Sequence, residues 1–260
     1  MTAEIYALEC GQLTMPLKIF FEEAGEGVMR APIPSFLVKH AKGSLLFDTG
    51  LNEITRVDPK GYLGERLAGL MEVHFGPGED LQSRLQRIDV EISRVDYVVN
   101  SHLHFDHCNN VDLFPHAKIL VSANELTYVD APHNEDLYIP WMIMEQLKKH
   151  DVTLIDGEHE ITKGVSYFPA PGHTPGSFGV QLDTEEDGCV VLAGDSLKYP
   201  KEAITGECDM AFGTAESGTN TISRILKTAD RIVPGHFPEL VKQNGRFTWK
   251  DTAELSLVIR

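Results

Sequence analysis

A cluster of polar side chains at residues 102–107 constrains the fold of this chain more than any other sequence feature. His102, His104 and Asp106 are two residues apart, so an extended backbone directs all three side chains to one face. His107 follows directly. Burying these groups after the apolar run 97–99 is costly unless a metal ion compensates them. An imidazole–imidazole–carboxylate face holds a divalent transition metal, and His107 can reach a second ion, so the cluster predicts a metal site at the end of a strand.

The composition is that of a globular protein with a negative net charge. Its 260 residues are enough for one large domain, and we assign residues 1–260 to a single domain. The chain has 23 lysine and arginine residues against 39 aspartate and glutamate residues, which gives a formal net charge of −16. Such a field repels phosphate backbones, so we expect a small-molecule substrate and no nucleic-acid partner.

The cysteine pattern and the apolar segments bear on the location of the protein. The four cysteines form no C-x-x-C pair, which disfavours a disulfide framework or a structural zinc knuckle and favours a reducing compartment. The first residues lack the positive segment and apolar stretch of a signal peptide. No apolar window approaches the length of a membrane span. We therefore predict a cytoplasmic protein with no membrane partner.

Short apolar runs rich in branched residues alternate with helical patterns, which is typical of a single α/β domain. The runs 35–40 and 44–47 predict two strands joined in a hairpin. Ser122 and Glu125 form an S-x-x-E capping box for a helix at 124–130. The other predicted strands are 96–100, 118–121, 152–155, 165–168, 178–182, 189–193 and 231–233. The other predicted helices are 80–87, 141–150 and 219–228.

Residues 51–80 differ from the rest of the chain because glycines lie among scattered apolar side chains. A short helix at 64–71 is the only regular element that we predict there. Long connections in compact domains are often binding loops. We therefore interpret residues 51–80 as a lid near the functional site, with an ordinary surface excursion as the alternative.

Three more candidate ligands share one local pattern, in which an apolar strand ends at a glycine or proline break. They are His173, Asp195 and His236, and each is directly preceded by glycine. Strand ends gather functional residues in α/β folds because rigid sheets present side chains from distant positions. A turn would explain any one of the three, but the repeated pattern favours ligands.

The run 102–107, taken with the three later ligands, resembles the metallo-β-lactamase superfamily of hydrolases. The resemblance spans roughly residues 33–240. It implies an αββα sandwich, with two β-sheets flanked by helices and two metal ions at one rim. One ion would be held by His102, His104 and His173. The other would be held by Asp106, His107 and His236, and Asp195 would bridge the two.

Within the superfamily, the chain is most similar to the N-acyl-homoserine lactonases, through the runs 101–107 and 171–176. Asp48 matches an early Asp-x-Gly element that supports the ligands in this family. In the lactonases, a tyrosine shortly after the bridging aspartate polarises the lactone carbonyl, and the resemblance gives this role to Tyr199. Tyr199 follows Asp195 by four residues, one more than the resemblance leads us to expect. A half-buried core aromatic is the alternative role.

The ligand set is typical of hydrolytic chemistry. Two adjacent divalent ions lower the pKa of a shared water and hold it as hydroxide near neutral pH. That hydroxide can attack an ester carbonyl while Asp106 or Asp195 carries the proton to the leaving alkoxide. We therefore predict a hydrolase of N-acyl-homoserine lactone or a related small lactone, with Asp106 and Tyr199 as catalytic residues. Imidazole and carboxylate ligands suit Zn, Fe, Mn or Co, of which we expect Zn.

Other activities of the same fold stay open on the sequence alone. Thioesters, other esters, phosphodiesters and β-lactams are alternative substrates. A mono-iron persulfide dioxygenase needs only two histidines and one aspartate. A non-catalytic binding protein is a third alternative, although all seven ligand positions carry competent residue types. A homodimer is one assembly that this interpretation allows.

Overall fold

Two β-sheets lie face to face in the computed structural model of this chain, which describes residues 3–21, 23–40, 42–129, 137–209, 211–236, 238–249 and 258–259. The strands, numbered in chain order, are β1 (Glu4–Pro16), β2 (Val28–His40), β3 (Gly43–Phe47), β4 (Glu72–His74), β5 (Tyr97–Val99), β6 (Lys118–Ser122), β7 (Val152–Ile155), β8 (His159–Thr162), β9 (Val165–Pro169), β10 (Phe178–Thr184), β11 (Gly188–Gly194), β12 (Arg231–Pro234), β13 (Leu240–Gln243), β14 (Arg246–Trp249) and β15 (Val258–Ile259). The helices are α1 (Leu17–Phe20), α2 (Ile54–Val57), α3 (Pro59–Leu70), α4 (Leu81–Arg87), α5 (Phe105–Cys108), α6 (Ala123–Val129), α7 (Pro140–Leu147), α8 (Pro200–Thr205) and α9 (Ala215–Thr228).

The strands of each sheet follow one another nearly in chain order. The first sheet has the order β15-β1-β2-β3-β5-β6-β7, with β4 also paired to β1. The second sheet has the order β14-β13-β12-β11-β10-β9-β8. β3, β5, β6 and β7 are parallel neighbours in the first sheet, and β11 and β12 are parallel in the second. Parallel strands end at the same edge, so the loops that follow β5, β11 and β12 can gather side chains at a rim.

Alternation along the strands separates three cores and produces four layers. Phe36 and Val38 of β2 lie in the core between the two sheets, which also contains Val190 of β11. Leu37, which points the other way, packs in a second core with helices α3, α4 and α7. A third core joins Ile222 of α9 to the outer face of β11 and β12. The layers are therefore helix, sheet, sheet and helix, which is the αββα sandwich that the resemblance implies.

The structure contains all the predicted helices and every predicted strand. Most strand ends lie within two residues of the prediction, but β2 begins seven residues earlier, at Val28. The helix predicted at 219–228 begins earlier, at Ala215, because the Thr214 side chain caps it by accepting a hydrogen bond from the Ser217 N–H. The helix predicted at 124–130 is α6, and Asp130 lies outside the described residues. The shared core between the sheets supports the assignment of residues 1–260 to one domain, which stays a prediction.

Residues 51–80 are more regular than the sequence predicts. They contain α2, α3 and β4, and β4 pairs with β1 through Gln12 and His74. Gly64 has φ +81 and separates two helical pieces within α3. The described side chains that line the cavity at the ligands come from other parts of the chain. The role of residues 51–80 as a lid stays a prediction.

Candidate metal centre

The first candidate ligands lie in the loop after β5 and in α5, which follows it. His102 and His104 are in the loop, and His104 caps α5 with an extended backbone (φ −64, ψ 151). Asp106 and His107 lie inside α5. The prediction that His102, His104 and Asp106 share one face of an extended segment is therefore wrong, because the helical turn rotates Asp106 away from the histidines.

Three buried imidazoles converge to form the first ligand group, which is defined as His102, His104 and His173. Their ligand atoms all lie within 4.8 Å of one another. His104 Nδ1 is 2.8 Å from His102 Nε2 and 3.1 Å from His173 Nε2. Burial lowers the pKa of His102 and of His104 well below the usual value, so both rings are neutral. Neutral imidazole is the form that binds a metal ion.

The second ligand group consists of Asp106, His107 and His236, whose ligand atoms also lie within 4.8 Å of one another. Asp106 Oδ2 is 3.7 Å from His107 Nε2 and 3.8 Å from His236 Nε2. Two imidazoles and a carboxylate form a set of donors that a divalent transition metal accepts. His236 reaches this group from the loop after β12, far along the chain from α5.

Asp195, which directly follows β11, lies between the two groups. Its Oδ2 is 3.4 Å from His173 Nε2 and 3.3 Å from His236 Nε2, and its Oδ1 is 3.5 Å from His107 Nε2. Burial opposes ionisation of this carboxyl, but the surrounding imidazoles outweigh that effect and hold its pKa well below the usual value. A Cβ at Gly235 would lie 2.1 Å from Asp195 Oδ1, so the glycine lets the His236 loop approach. Asp195 thus occupies the position of a bridging ligand.

The seven candidate ligands fit two divalent ions. All seven side chains are buried. His104 Nε2, His107 Nε2 and Asp195 Oδ1 are buried without a hydrogen-bond partner among the residues that the structure describes. A buried polar atom with no partner is costly, and a metal ion between the groups would satisfy His107 Nε2 and Asp195 Oδ1, which lie 3.5 Å apart. The structure therefore brings together every metal ligand predicted from the sequence.

Hydrogen bonds on the far side of the rings orient two of the imidazoles. Asp48 accepts hydrogen bonds from the Ser101 N–H (2.6 Å) and Ser101 Oγ (2.8 Å), and His107 Nδ1 lies 2.8 Å from the same carboxylate. His236 Nδ1 lies 3.1 Å from the Pro32 carbonyl oxygen. In the neutral form of each ring, which is the form that binds a metal ion, donation from Nδ1 leaves Nε2 with a lone pair for the ligand group. The contacts of Asp48 match the supporting role that the resemblance gives it.

The sequence matches one known family over most of the chain. The profile of the metallo-beta-lactamase superfamily covers residues 29–236. The chain belongs to this superfamily. The matched span includes Asp48 and all seven candidate ligands, so the family match and the geometry identify the same site.

Several relatives within the superfamily are N-acyl homoserine lactonases. One from a Bacillus species is 30% identical over 204 residues, which are 78% of each chain. The N-acyl homoserine lactonase AttM of Azorhizobium caulinodans is 25% identical over 253 residues, covering 90% of this chain and 93% of the relative. A solved N-acyl homoserine lactone hydrolase, with N-hexanoyl-L-homoserine bound at its catalytic metal center, superposes with a TM-score of 0.78 at 24% identity. That comparison covers 91% of this chain and 94% of the other, and it confirms the metallo-β-lactamase fold.

A cavity opens onto the candidate metal centre. Polar ligands from both groups form one part of its wall, together with Asp195. Apolar side chains form another part, and Met15, Ile19, Phe20 and Leu137 are among them. Three of these four come from the end of β1 and from α1, which the sequence did not predict. The cavity is therefore lined by both candidate metal ligands and apolar side chains.

Lys198, rather than Tyr199, is among the residues that line this cavity. Lys198 follows Asp195 by three residues, which is the spacing at which the resemblance places a tyrosine. Its ammonium bonds Glu202 Oε1 and the Asp209 carbonyl, each at 2.5 Å. The Tyr199 ring packs edge-on against Phe21, with centroids 5.1 Å apart. The catalytic role of Tyr199 stays a prediction, and Lys198 is a cavity residue that sequence reasoning missed.

Two aromatic rings that the sequence did not indicate pack against the first ligand group. Tyr138 contacts His104 with ring centroids 4.5 Å apart. Phe212 contacts His104 at 5.6 Å and His173 at 5.5 Å. Both rings come from irregular segments that are distant in sequence from His104. Their proximity to the ligand group is therefore visible only in the three-dimensional structure. Both rings meet the imidazoles in T-shaped arrangements.

Proposed function

We propose that this chain is an N-acyl homoserine lactonase that opens the lactone ring with two divalent ions, zinc in the first instance, at the candidate metal centre. The observation that carries the proposal is the convergence of seven buried ligands, in two groups joined by Asp195, in a chain 30% identical to such a lactonase over 204 residues. The resemblance of the motifs and the polar–apolar cavity support the same activity.

Two divalent ions in this site would lower the pKa of water and stabilise negative charge on a carbonyl oxygen. The chain supplies the proton path and the binding surface. Asp106 lines the cavity, so its carboxylate can receive the proton of the attacking water and return it to the leaving alkoxide. The apolar wall of Met15, Ile19 and Phe20 offers a surface to an acyl chain. A neutral, partly apolar ester fits this cavity better than a phosphodiester in a chain of net charge −16.

The presence of two ligand groups argues against a mono-iron dioxygenase. Two histidines and one aspartate, as in the second group, would suffice for such an enzyme and would leave His102, His104 and His173 without a metal, although these are also buried and close together. No helix in the described part of the chain is both long and apolar enough to cross a membrane. A cytoplasmic location, a homodimeric assembly and zinc as the resident metal remain proposals.

Ring opening gives a direct test of the substrate. We expect the Zn²⁺-loaded protein to release acid from N-acyl-homoserine lactones in a weakly buffered assay, because hydrolysis of a lactone yields a carboxylic acid. The panel should include a thioester, a phosphodiester and a β-lactam, and protein stripped with a chelator is the matched control. Turnover of any of these without turnover of a lactone would overturn the lactonase proposal.

Tyr199→Phe tests the role that the resemblance gives to this side chain. A donor to the developing oxyanion is worth about 10²-fold in kcat, so the role requires a loss of that order with little change in KM. Phenylalanine keeps the ring that packs on Phe21. Steady-state kinetics with a short-chain lactone measure the effect. An unchanged kcat would refute the donor role and leave packing as the function of Tyr199.

A further inference from the structure

Glu125 is a buried carboxylate that makes four hydrogen bonds away from its own helix. The sequence predicts that it closes a capping box with Ser122, and its N–H does bond Ser122 Oγ at 3.2 Å. The Glu125 carboxylate, however, does not bond the start of its own helix but accepts hydrogen bonds from other segments. Oε1 accepts from the Leu103 N–H at 3.0 Å and from Tyr138 Oη at 2.8 Å. Oε2 accepts from Thr174 Oγ1 at 2.7 Å and from the Gly176 N–H at 3.2 Å.

Three of these four donors belong to the loops that carry the first ligand group. Leu103 lies between His102 and His104 in the chain, and Thr174 directly follows His173. One carboxylate therefore joins two loops that meet only through tertiary structure. It also holds the hydroxyl of Tyr138, whose ring packs on His104.

The loop around Gly176 is shaped to reach this carboxylate. A Cβ at Gly176 would lie 2.2 Å from the Glu125 backbone nitrogen, so only glycine permits the approach. Thr174 Oγ1 also lies 2.7 Å from Ser177 Oγ, which fixes the hydroxyl that Glu125 receives. With four donors, Glu125 fills the acceptor capacity of an ionised carboxylate, although burial raises its pKa. A buried carboxylate whose acceptor positions are all hydrogen-bonded stabilises one arrangement of the two loops.

We propose that Glu125 is a positioning residue that presets His102, His104 and His173 for a divalent ion. Glu125 is not among the candidate ligands of the described chain, and its four contacts all lie on the first-group side of the centre. Asp48 has the corresponding contact with the second group, through His107. The proposal rests on the proposed function only in requiring that divalent ions bind at the centre.

Glu125→Gln is the informative variant, because it keeps the size of the side chain and exchanges one acceptor oxygen for a donor NH₂. Whichever way the amide turns, it faces one N–H and one hydroxyl with a group that cannot accept. Outer contacts of metal ligands change metal affinity by about 10–100-fold, so we expect the Kd for Zn²⁺ at the first group to weaken by that factor. The Kd at the second group should change little.

Competition of the purified protein with a chromophoric chelator for Zn²⁺ gives both constants. His104→Ala and His236→Ala identify which constant belongs to which group, and Co²⁺ absorption spectra report the ligand geometry. Ser122→Ala is the matched control, since it removes the cap of the same helix and leaves the carboxylate contacts intact. It should keep both constants within about two-fold of the wild-type values, well inside the range expected for outer contacts.

The proposal would be overturned if both Kd values for Zn²⁺ in Glu125→Gln equalled those of the wild type. Equal weakening of both groups, reproduced by Ser122→Ala, would also overturn it and show that Glu125 only supports the fold. A failure of the proposed lactonase function would give a different result from a failure of the Glu125 proposal. Wild-type protein that binds two ions but opens no lactone would refute the lactonase assignment and leave the role of Glu125 intact.

Discussion

His104→Ala should lower kcat/KM for a lactone by about 10³-fold, since a metal ion contributes several kcal/mol of charge stabilisation and each 1.36 kcal/mol is a factor of ten. His104 has the most contacts within the first group, because its Nδ1 lies close to both His102 and His173. Its removal leaves two imidazoles and the shared carboxylate of Asp195, one donor fewer than before, so the first ion is held more weakly. We expect the metal content to fall from two ions per chain to about one. Elemental analysis and initial rates measure the two effects.

His116→Ala is the control for this prediction. His116 is exposed, lies outside both ligand groups and should retain the wild-type metal content and rate. Circular dichroism spectra must match for the two variants, so that a loss of fold is not read as a loss of metal. Wild-type protein with one tightly bound iron and full turnover would contradict the dinuclear centre itself.

Several strands that the sequence predicts closely are buried on both faces. β3, β6 and β11 are near-continuous branched or aliphatic runs, a pattern that reports burial without needing any knowledge of the partner strand. β1 was missed although it is 13 residues long. Its pairing with β2 shifts register between Glu9 and Gln12, and this irregularity interrupts the two-residue alternation by which such a strand is recognised.

The candidate metal ligands could be chosen from the sequence because their pattern is local: a short run with fixed spacing, followed by three positions at which a glycine directly precedes the ligand. The residues around them were not. Glu125 carries a valid capping signal, and nothing near it in sequence indicates that its carboxylate binds loops at 103 and 174–176 instead. From the sequence alone, Lys198 is expected to be an ordinary surface cation, since lysine is seldom fully buried. Their positions depend on tertiary contacts that a single sequence does not encode by pattern.

The buried ion pair of Lys198 and Glu202 gives the second large effect, this time on stability. Lys198 and Glu202 are 2% and 0% exposed, and the ammonium lies 2.5 Å from the carboxylate. Removing one member of a buried pair leaves an uncompensated charge and costs about 3–5 kcal/mol. Glu202 also accepts hydrogen bonds from the N–H groups of Lys198, Tyr199 and Asp209. These bonds remain in Lys198→Met, so we expect the lower end, about 3 kcal/mol in the free energy of unfolding.

Urea unfolding measures this change, and two variants separate its causes. Lys201→Met removes a neighbouring lysine whose side chain is 46% exposed and bonded to Asp209, so it should cost less than about 1 kcal/mol. Lys198→Met combined with Glu202→Gln removes the unpaired charge and should recover part of the loss. A Lys198→Met protein as stable as Lys201→Met would contradict the buried pair. Because the backbone carbonyl of Lys198 accepts from the His236 N–H at 3.2 Å, the same pair also fixes the loop that carries a ligand of the second group.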